Sequence, residues 1–189
     1  MSVKDISKLS LKELAAYVSH FLRENGVPNV LTGGACVSIY TENRYQSFDL
    51  DFVNIEGVPI SKVSSLLKEI GFEDKGRIFI NNKMKYSVDI LNPPLSVGRQ
   101  QIKTVYNIEV DKMILKLLTP TDSVKDRLAA FYFWNDRQAF EQAKLIQAYN
   151  EVDFEEIRKW SELEGELEKF KYFMEKVKRE FNHMKEKRK

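Results

Sequence analysis

The chain has 189 residues, of which 43% are apolar and 12% aromatic, enough to form one ordinary domain or one domain with a small second one. Its 30 basic and 28 acidic residues leave a net charge of +2, which excludes the global positive field of a protein that wraps duplex DNA. The lone cysteine, Cys36, cannot form an internal disulfide, and no segment resembles a signal peptide or membrane span. We therefore expect a cytoplasmic protein with no membrane partner.

The first quarter of the chain predicts alternating helices and strands. Ser10-Leu11-Lys12-Glu13 has the capping-box pattern that begins a helix, and Gly26 is expected to end it. A short buried strand over 30–32 runs directly into Gly33-Gly34, and a helix is expected over 35–40.

Alternation over 48–54 predicts a strand, with Phe48, Leu50 and Phe52 facing the core and Asp49 and Asp51 on the opposite face. A helix is then expected over 61–70, followed by strands over 77–80 and 85–91 and a short strand over 104–108.

Beyond Val110 the pattern predicts only helices, over 112–118, 123–133 and 137–149, and one long amphipathic helix from Phe154 to the basic C-terminus. Its apolar stripe favours packing on its own chain, and a homodimer through this helix is the alternative. The sequence thus predicts a mixed domain over 1–109 and a helical domain over 110–189.

The C-terminal segment 169–189 carries nine Lys and Arg residues against three Glu. This excess is typical of a solvated helix face with a basic tail. A contact with RNA is the alternative.

Two aspartates two residues apart on a strand project from the same face, where their charges repel unless a cation lies between them. Asp49 and Asp51 therefore indicate a magnesium site, since Mg²⁺ takes carboxylates together with phosphate oxygens. Asp89, in the strand over 85–91, could join them, and three carboxylates can hold two metal ions. Taken separately, each acid could instead lie on a solvated strand face, and Gly33-Gly34 could be a simple tight turn.

In this order, Gly33-Gly34, Ser47-Phe48-Asp49-Leu50-Asp51-Phe52 and Val88-Asp89-Ile90 resemble the motifs of the DNA polymerase β-type nucleotidyltransferase superfamily. The form of the motifs is most similar to the AbiEii-type branch, which includes toxins of toxin–antitoxin pairs. The resemblance spans roughly residues 30–91. It implies an α+β fold, with a mixed β-sheet flanked by helices and followed by an all-helical C-terminal region.

The resemblance also implies roles for individual residues. Gly33 and Gly34 would place backbone amides against the β- and γ-phosphates of a nucleoside triphosphate (NTP), and Ser47 could touch the triphosphate. Asp49 and Asp51 would bind Mg²⁺, and Asp89 would complete the metal site and act as, or near, the general base.

The helical region adds candidates for binding the nucleotide. Lys125 matches a lysine that the branch carries on a helix, and Arg127 lies close to it. The branch also has an Arg-Asp pair followed by a further acid. Here the order is reversed, as Asp136-Arg137 with Glu141 later, so the roles of these three residues stay open.

The resemblance therefore implies an Mg²⁺-dependent nucleotidyltransferase, with two ions, that moves a nucleoside monophosphate from an NTP to an acceptor hydroxyl. The acceptor could be a tRNA end or other RNA, a protein or a small molecule. An antitoxin protein would be a further partner if the chain is a toxin. The alternative is a non-catalytic nucleotide-binding or partner-binding module on the same fold.

Overall fold

The computed structural model describes residues 6–76 and 78–186, which form two compact units. The sheet unit comprises the described residues up to Ser96 together with Gln101–Thr119, and the helical unit comprises Val97–Gln100 and the described residues from Pro120 onward. The division thus follows Thr119, ten residues beyond the predicted boundary. Arg77, the first residue of one predicted strand, and residues 187–189 of the basic tail lie outside the described residues.

Seven strands of the described chain form one mixed sheet in the order β3-β4-β5-β2-β1-β9-β8. The strand β1 is parallel to β9 and antiparallel to β2, which in turn is parallel to β5. A hairpin of β6 and β7 forms a separate two-stranded sheet. The strands are β1 (Asn29–Thr32), β2 (Asp49–Asn54), β3 (Glu73–Asp74), β4 (Ile78–Ile80), β5 (Ser87–Leu91), β6 (Ser96–Val97), β7 (Gln100–Gln101), β8 (Tyr106–Val110) and β9 (Met113–Leu117).

The helices of the sheet unit begin and end close to their predicted bounds. They are α1 (Leu11–Glu24), α2 (Gly33–Tyr40) and α3 (Ile60–Glu69), preceded by a 3₁₀ turn at Ile6–Lys8. The predicted capping box is present, because the Ser10 side chain accepts from the Glu13 amide while the Glu13 carboxylate accepts from the Ser10 amide. The apolar face of α1 packs on β1 and β9, and α2 packs on β1 and β2.

One predicted helix in this unit is wrong, because residues 113–117 form the strand β9. This strand is paired on both sides, antiparallel with β8 and parallel with β1, where Leu31 lies opposite Leu117. Its alternate residues Leu115 and Leu117 are fully buried. Tertiary pairing has therefore overridden the local helix preference of Met-Ile-Leu-Lys-Leu.

The helical unit contains α4 (Pro120–Trp134), α5 (Arg137–Tyr149), α6 (Phe154–Leu163) and α7 (Leu167–Glu186). The prediction of one uninterrupted helix from Phe154 is wrong, because Gly165 adopts φ +79° between α6 and α7. Phe170 and Val177 of the predicted apolar stripe are buried within this chain, and so is Phe173 of α7, which the predicted stripe did not include. Dimerisation through α7 stays a prediction.

Aromatic packing forms the core of the helical unit. Tyr132 stacks on Trp160 with 5.6 Å between ring centroids, and its hydroxyl lies 2.9 Å from the Ser161 hydroxyl. Burial raises the pKa of Tyr132 well above its usual value. The Trp160 indole N–H donates to the Val97 carbonyl, whereas Trp134 at the end of α4 is 77% exposed.

Helices that could cross a bilayer were sought in residues 6–76 and 78–186. None of them is both long enough and apolar enough to do so.

Candidate active site

The glycine pair lies where β1 ends and α2 begins. Gly33 has φ +69°, a left-handed conformation that favours glycine. A Cβ at Gly33 would lie only 2.2 Å from the Asp51 carboxylate oxygen Oδ2, so backbone conformation and packing both require glycine here. The first residue of the helix is therefore in direct contact with the second aspartate of the motif.

The second glycine lies against Ser47 in the same way. A Cβ at Gly34 would lie 3.1 Å from the Ser47 hydroxyl oxygen. The Ser47 amide donates to the Ser38 hydroxyl of α2 at 2.8 Å, and the Ser47 hydroxyl donates to the Asp49 carbonyl at 3.1 Å. The first of these bonds holds the segment before β2 against α2, and the contacts of the two glycines bring Gly33, Gly34, Ser47 and Asp51 into one cluster.

Strand register brings the third aspartate to the same place. In the parallel pair of β2 and β5, Asp51 lies opposite Asp89 and Asp49 lies opposite Ser87. Since side chains in register on neighbouring strands share a face, all three carboxylates project from one side of the sheet. The Ser87 hydroxyl donates to Asp49 Oδ1, so Ser87 orients the first carboxylate of the row.

The three carboxylates match the oxygen ligands that Mg²⁺ prefers. Within residues 6–76 and 78–186, however, no group of three or more His, Cys, Asp or Glu side chains has the arrangement of a metal site. Metal binding by Asp49, Asp51 and Asp89 therefore stays a prediction, supported by their common face and by their chemistry.

The two predicted nucleotide-binding cations of the helical unit are both engaged there. Lys125 is fully buried, and its ammonium donates to Asp122 at 3.1 Å, to Glu156 at 2.5 Å and to Gln100 at 3.1 Å. Arg127 is paired with Asp126 at 2.5 Å. Their roles toward a nucleotide stay predictions, since these contacts are all within the helical unit.

The three residues whose roles were left open make structural contacts. Asp136 is the N-cap of α5 and accepts from the Ala139 amide at 3.0 Å. The Arg137 guanidinium lies 5.5 Å from the centre of a phenylalanine ring on α4, and Glu141 pairs with Lys144 at 2.7 Å. Their positions are therefore accounted for by capping, cation–π contact and ion pairing.

An aromatic pair at the starts of β2 and β5, with one exposed and one half-buried ring, was not predicted from the sequence. Phe48 was expected in the core but is 48% exposed, because it precedes the first paired residue of β2. Its ring stacks with that of Tyr86, the residue before β5, with 6.4 Å between centroids and 25° between planes. The Lys85 ammonium lies 5.4 Å from the Phe48 centroid and 5.2 Å from the Tyr86 centroid. We call Phe48, Lys85 and Tyr86 the aromatic platform.

A small open cleft of about 130 Å³ adjoins the aromatic platform. The cleft extends from the aromatic platform to Ser47, the residue that packs against Gly34. Its lining consists of polar side chains and one apolar one, from Ser10, Leu11, Asn43, Gln46, Ser47, Lys85 and Tyr86.

No family model and no curated protein matches the chain. Among solved structures it is similar to an antigenic nucleotidyltransferase-like protein from Paracoccidioides brasiliensis, with a TM-score of 0.55 and 14% identity over 74% of each chain. It is also similar to the antibiotic-resistance factor ANT(2'')-Ia, with a TM-score of 0.50 and 11% identity over 92% of this chain and 97% of that one.

These likenesses bear on the fold and confirm the predicted class, a mixed sheet flanked by helices with a helical C-terminal region. The resemblance to the AbiEii-type branch stays a prediction. The chain has a nucleotidyltransferase-like fold, and its predicted glycine pair, serine and three aspartates share one region of the sheet unit.

Proposed function

We propose that this protein is a nucleotidyltransferase that transfers a nucleoside monophosphate from an NTP to an acceptor hydroxyl, with Mg²⁺ bound at the aspartates. One observation carries the proposal. Strand register and packing bring the glycine pair at the start of α2 next to Asp51, and Asp51 next to Asp89. Phosphate-binding backbone and metal-binding carboxylates are the two components that phosphoryl chemistry needs side by side.

The glycine pair would bind the triphosphate. The first amides of an α-helix have no partner within the helix, and the helix dipole favours an anion there. Because Gly33 and Gly34 carry no side chains, the phosphates can approach these amides closely. The Ser47 hydroxyl, held beside Gly34, would contact the triphosphate and would donate to it in place of its hydrogen bond to the Asp49 carbonyl.

The carboxylates would bind metal and accept a proton. Bound Mg²⁺ would neutralise phosphate charge and polarise the acceptor hydroxyl. Asp49 and Asp51 would hold the Mg²⁺ ion, and the hydrogen bond from Ser87 would orient Asp49. The acceptor oxygen would form a bond to the α-phosphorus while the bond to the β-phosphate oxygen breaks. Pyrophosphate leaves with the electron pair, and Asp89 takes the hydroxyl proton.

The test is incorporation of α-labelled NTPs in the presence of Mg²⁺ and of candidate acceptors, with total tRNA first. The wild type is expected to incorporate label, and the double variant Asp49→Asn with Asp51→Asn to lose it by several orders of magnitude. The matched control is Glu56→Gln with Glu69→Gln, which makes the same charge change at exposed positions of the same unit. Incorporation that survives in the aspartate variant would refute the proposal.

A thermal-shift measurement separates catalysis from binding alone. Stabilisation by NTP and Mg²⁺ without transfer to any acceptor would favour the non-catalytic binding module. An absence of stabilisation by any NTP would argue against nucleotide binding altogether.

We further propose that the acceptor is RNA, such as tRNA, and that the protein acts as a toxin held in check by an antitoxin protein. The excess of positive charge in the segment 169–189 supports an RNA acceptor. Growth arrest on expression of the wild type but not of the Asp49→Asn, Asp51→Asn variant is the expected result. Equal growth of both strains would refute the toxin role.

A further inference from the structure

We propose that the aromatic platform binds a nucleobase by stacking, with the phosphate of the same nucleotide unit on Lys85. The inference rests on the proposed function for its biological context, but binding at the platform is measured without catalysis. Phe48 and Tyr86 immediately precede Asp49 and Ser87, the paired residues at the starts of β2 and β5. The platform therefore lies at the end of β2 and β5 where Asp49 begins the row of carboxylates.

The aromatic rings have the exposure and geometry that stacking requires. Phe48 is 48% exposed, although a phenylalanine beside a sheet is ordinarily buried. Phe48 and Tyr86 already stack on each other with 25° between their planes, so a base on the exposed Phe48 ring would extend an existing stack. A flat π-system can lie on such a surface without hydrogen bonds that read one base, so the platform fits nucleobases in general.

Charge selects a nucleotide over other planar or sugar ligands. The Lys85 ammonium lies over both rings and is exposed at the edge of the cleft. Among the described residues that line the cleft, Lys85 supplies a positive charge and no carboxylate balances it, while Ser10, Asn43, Gln46 and Ser47 offer hydrogen bonds. This lining attracts a phosphate and repels a polycation such as an aminoglycoside.

The nucleotide unit could belong to the NTP or to an RNA acceptor, and two binding assays distinguish these sources. In one, anisotropy follows a labelled single-stranded RNA octamer of mixed sequence. In the other, equilibrium dialysis follows each labelled NTP with Mg²⁺ and no acceptor. Phe48→Ala or Tyr86→Ala is expected to weaken one or both ligands about tenfold, in the range of losing one stacking partner. Weakening of RNA alone identifies the acceptor as the source, and weakening of NTP alone identifies the donor.

Matched controls come from the other side of the sheet unit. Tyr106 is 49% exposed, and Lys103 is an exposed lysine near it in sequence, so Tyr106→Ala and Lys103→Gln remove equivalent groups away from the aspartates. These controls are expected to bind both ligands like the wild type. Lys85→Gln should lower the salt dependence of RNA binding by about 0.7 in log–log slope, the contribution of one phosphate contact to a single strand.

Two substitutions separate stacking from simple packing. Phe48→Trp is expected to retain binding, whereas Phe48→Leu, which keeps apolar volume without a π-face, should lose it. If Phe48→Ala fails to fold, as judged by circular dichroism, the Leu and Trp variants still decide the question. Unchanged affinity of the Leu variant for both ligands would overturn the proposal.

A different ligand class is a further decisive outcome. Binding of kanamycin that depends on Phe48 and becomes tighter in Lys85→Gln would overturn the nucleotide assignment. Platform-dependent binding of RNA or NTP by a protein that incorporates no label would instead support this inference while refuting the proposed catalysis.

Discussion

Gly33 is constrained both by its backbone and by its neighbour. Its φ of +69° disfavours any side chain, and a Cβ would collide with the Asp51 carboxylate at 2.2 Å. Gly33→Ala should therefore lower the free energy of unfolding by about 1–2 kcal/mol, because alanine is strained in a left-handed conformation. The new methyl group should also displace the Asp51 carboxylate. We expect at least a tenfold loss of nucleotidyl transfer, measured with labelled NTP, beside the loss of stability in urea unfolding.

Gly76 is the matched control for this substitution. It has φ +91°, and a Cβ there would have no neighbour within 4 Å. Gly76→Ala should show the backbone cost alone and keep its activity. Equal activity of the two alanine variants would show that the Gly33–Asp51 contact has no part in the reaction.

Ser87 is expected to act as a positioning residue through its hydrogen bond to Asp49. Ser87→Ala should lower the transfer rate roughly tenfold, equivalent to about 1.5 kcal/mol for a hydrogen bond to a charged group. Ser87→Thr, which retains the hydroxyl, should restore much of the rate. Ser65→Ala removes an exposed hydroxyl bonded to the Ser61 carbonyl and should leave the rate unchanged. A Ser87→Ala variant as active as the wild type would contradict this role.

At the scale of single residues, the sequence was most informative where a motif is contiguous. Asp49 and Asp51 alternate along one strand, so their common face follows from strand geometry alone. Ser87 and the aromatic platform depend on the pairing of β2 with β5, and no local pattern specifies that register. This is why Phe48 was wrongly expected in the core.

Among the helices, the N-cap of α5 allows a direct test of an open residue. Asp136 accepts from the Ala139 amide, so Asp136→Ala should cost about 1 kcal/mol in urea unfolding. Asp136→Ser retains a capping oxygen without a carboxylate and should recover most of that stability. If Asp136 instead takes part in the chemistry, both variants would lose transfer activity alike.

Local signals predicted the helix starts well and the connections poorly. The capping box at Ser10 was predicted because capping depends on residues three or four apart in the sequence. The strand β9 was not predicted because it forms by pairing with β1. The paired residues Leu31 and Leu117 are 86 positions apart in the sequence, and no local pattern reports such a contact. The break at Gly165 was missed because the apolar spacing continues from Leu163 to Leu167 across it.

At the scale of the whole molecule, the two units can be followed separately by spectroscopy. Trp134 and Trp160, the two tryptophans of the sequence, both belong to the helical unit. Cys36 is the one cysteine of the sequence and is buried in α2 of the sheet unit. Tryptophan fluorescence therefore reports unfolding of the helical unit, and thiol reactivity reports opening of the sheet unit.

The buried lysine of the helical unit provides a test that uses the first of these probes. Lys125→Met leaves Asp122 and Glu156 without their shared cation and should cost about 3 kcal/mol, at the low end for a buried pair because Glu156 is 48% exposed. The midpoint of the urea unfolding transition followed by tryptophan fluorescence should therefore shift to a lower urea concentration. The control Lys159→Met removes a lysine that is 66% exposed and should change little.

The same variant also tests the predicted nucleotide role of Lys125. A raised KM for NTP with an unchanged tryptophan transition would favour nucleotide binding over the structural role. A lowered transition midpoint with an unchanged KM in the protein that remains folded would favour the structural role.

The parallel pairing of β2 with β5 has a consequence for the order in which the protein folds. Asp51 and Asp89 are neighbours in the sheet but 38 positions apart in the sequence, and β1 needs β9 from still farther along the chain. Contacts of such sequence separation form slowly, whereas α4 and α5 pack on each other as consecutive helices. During refolding, tryptophan fluorescence should therefore recover before β2 pairs with β5. We expect a stage in which the helical unit is folded but the three aspartates are not yet on one face of a sheet.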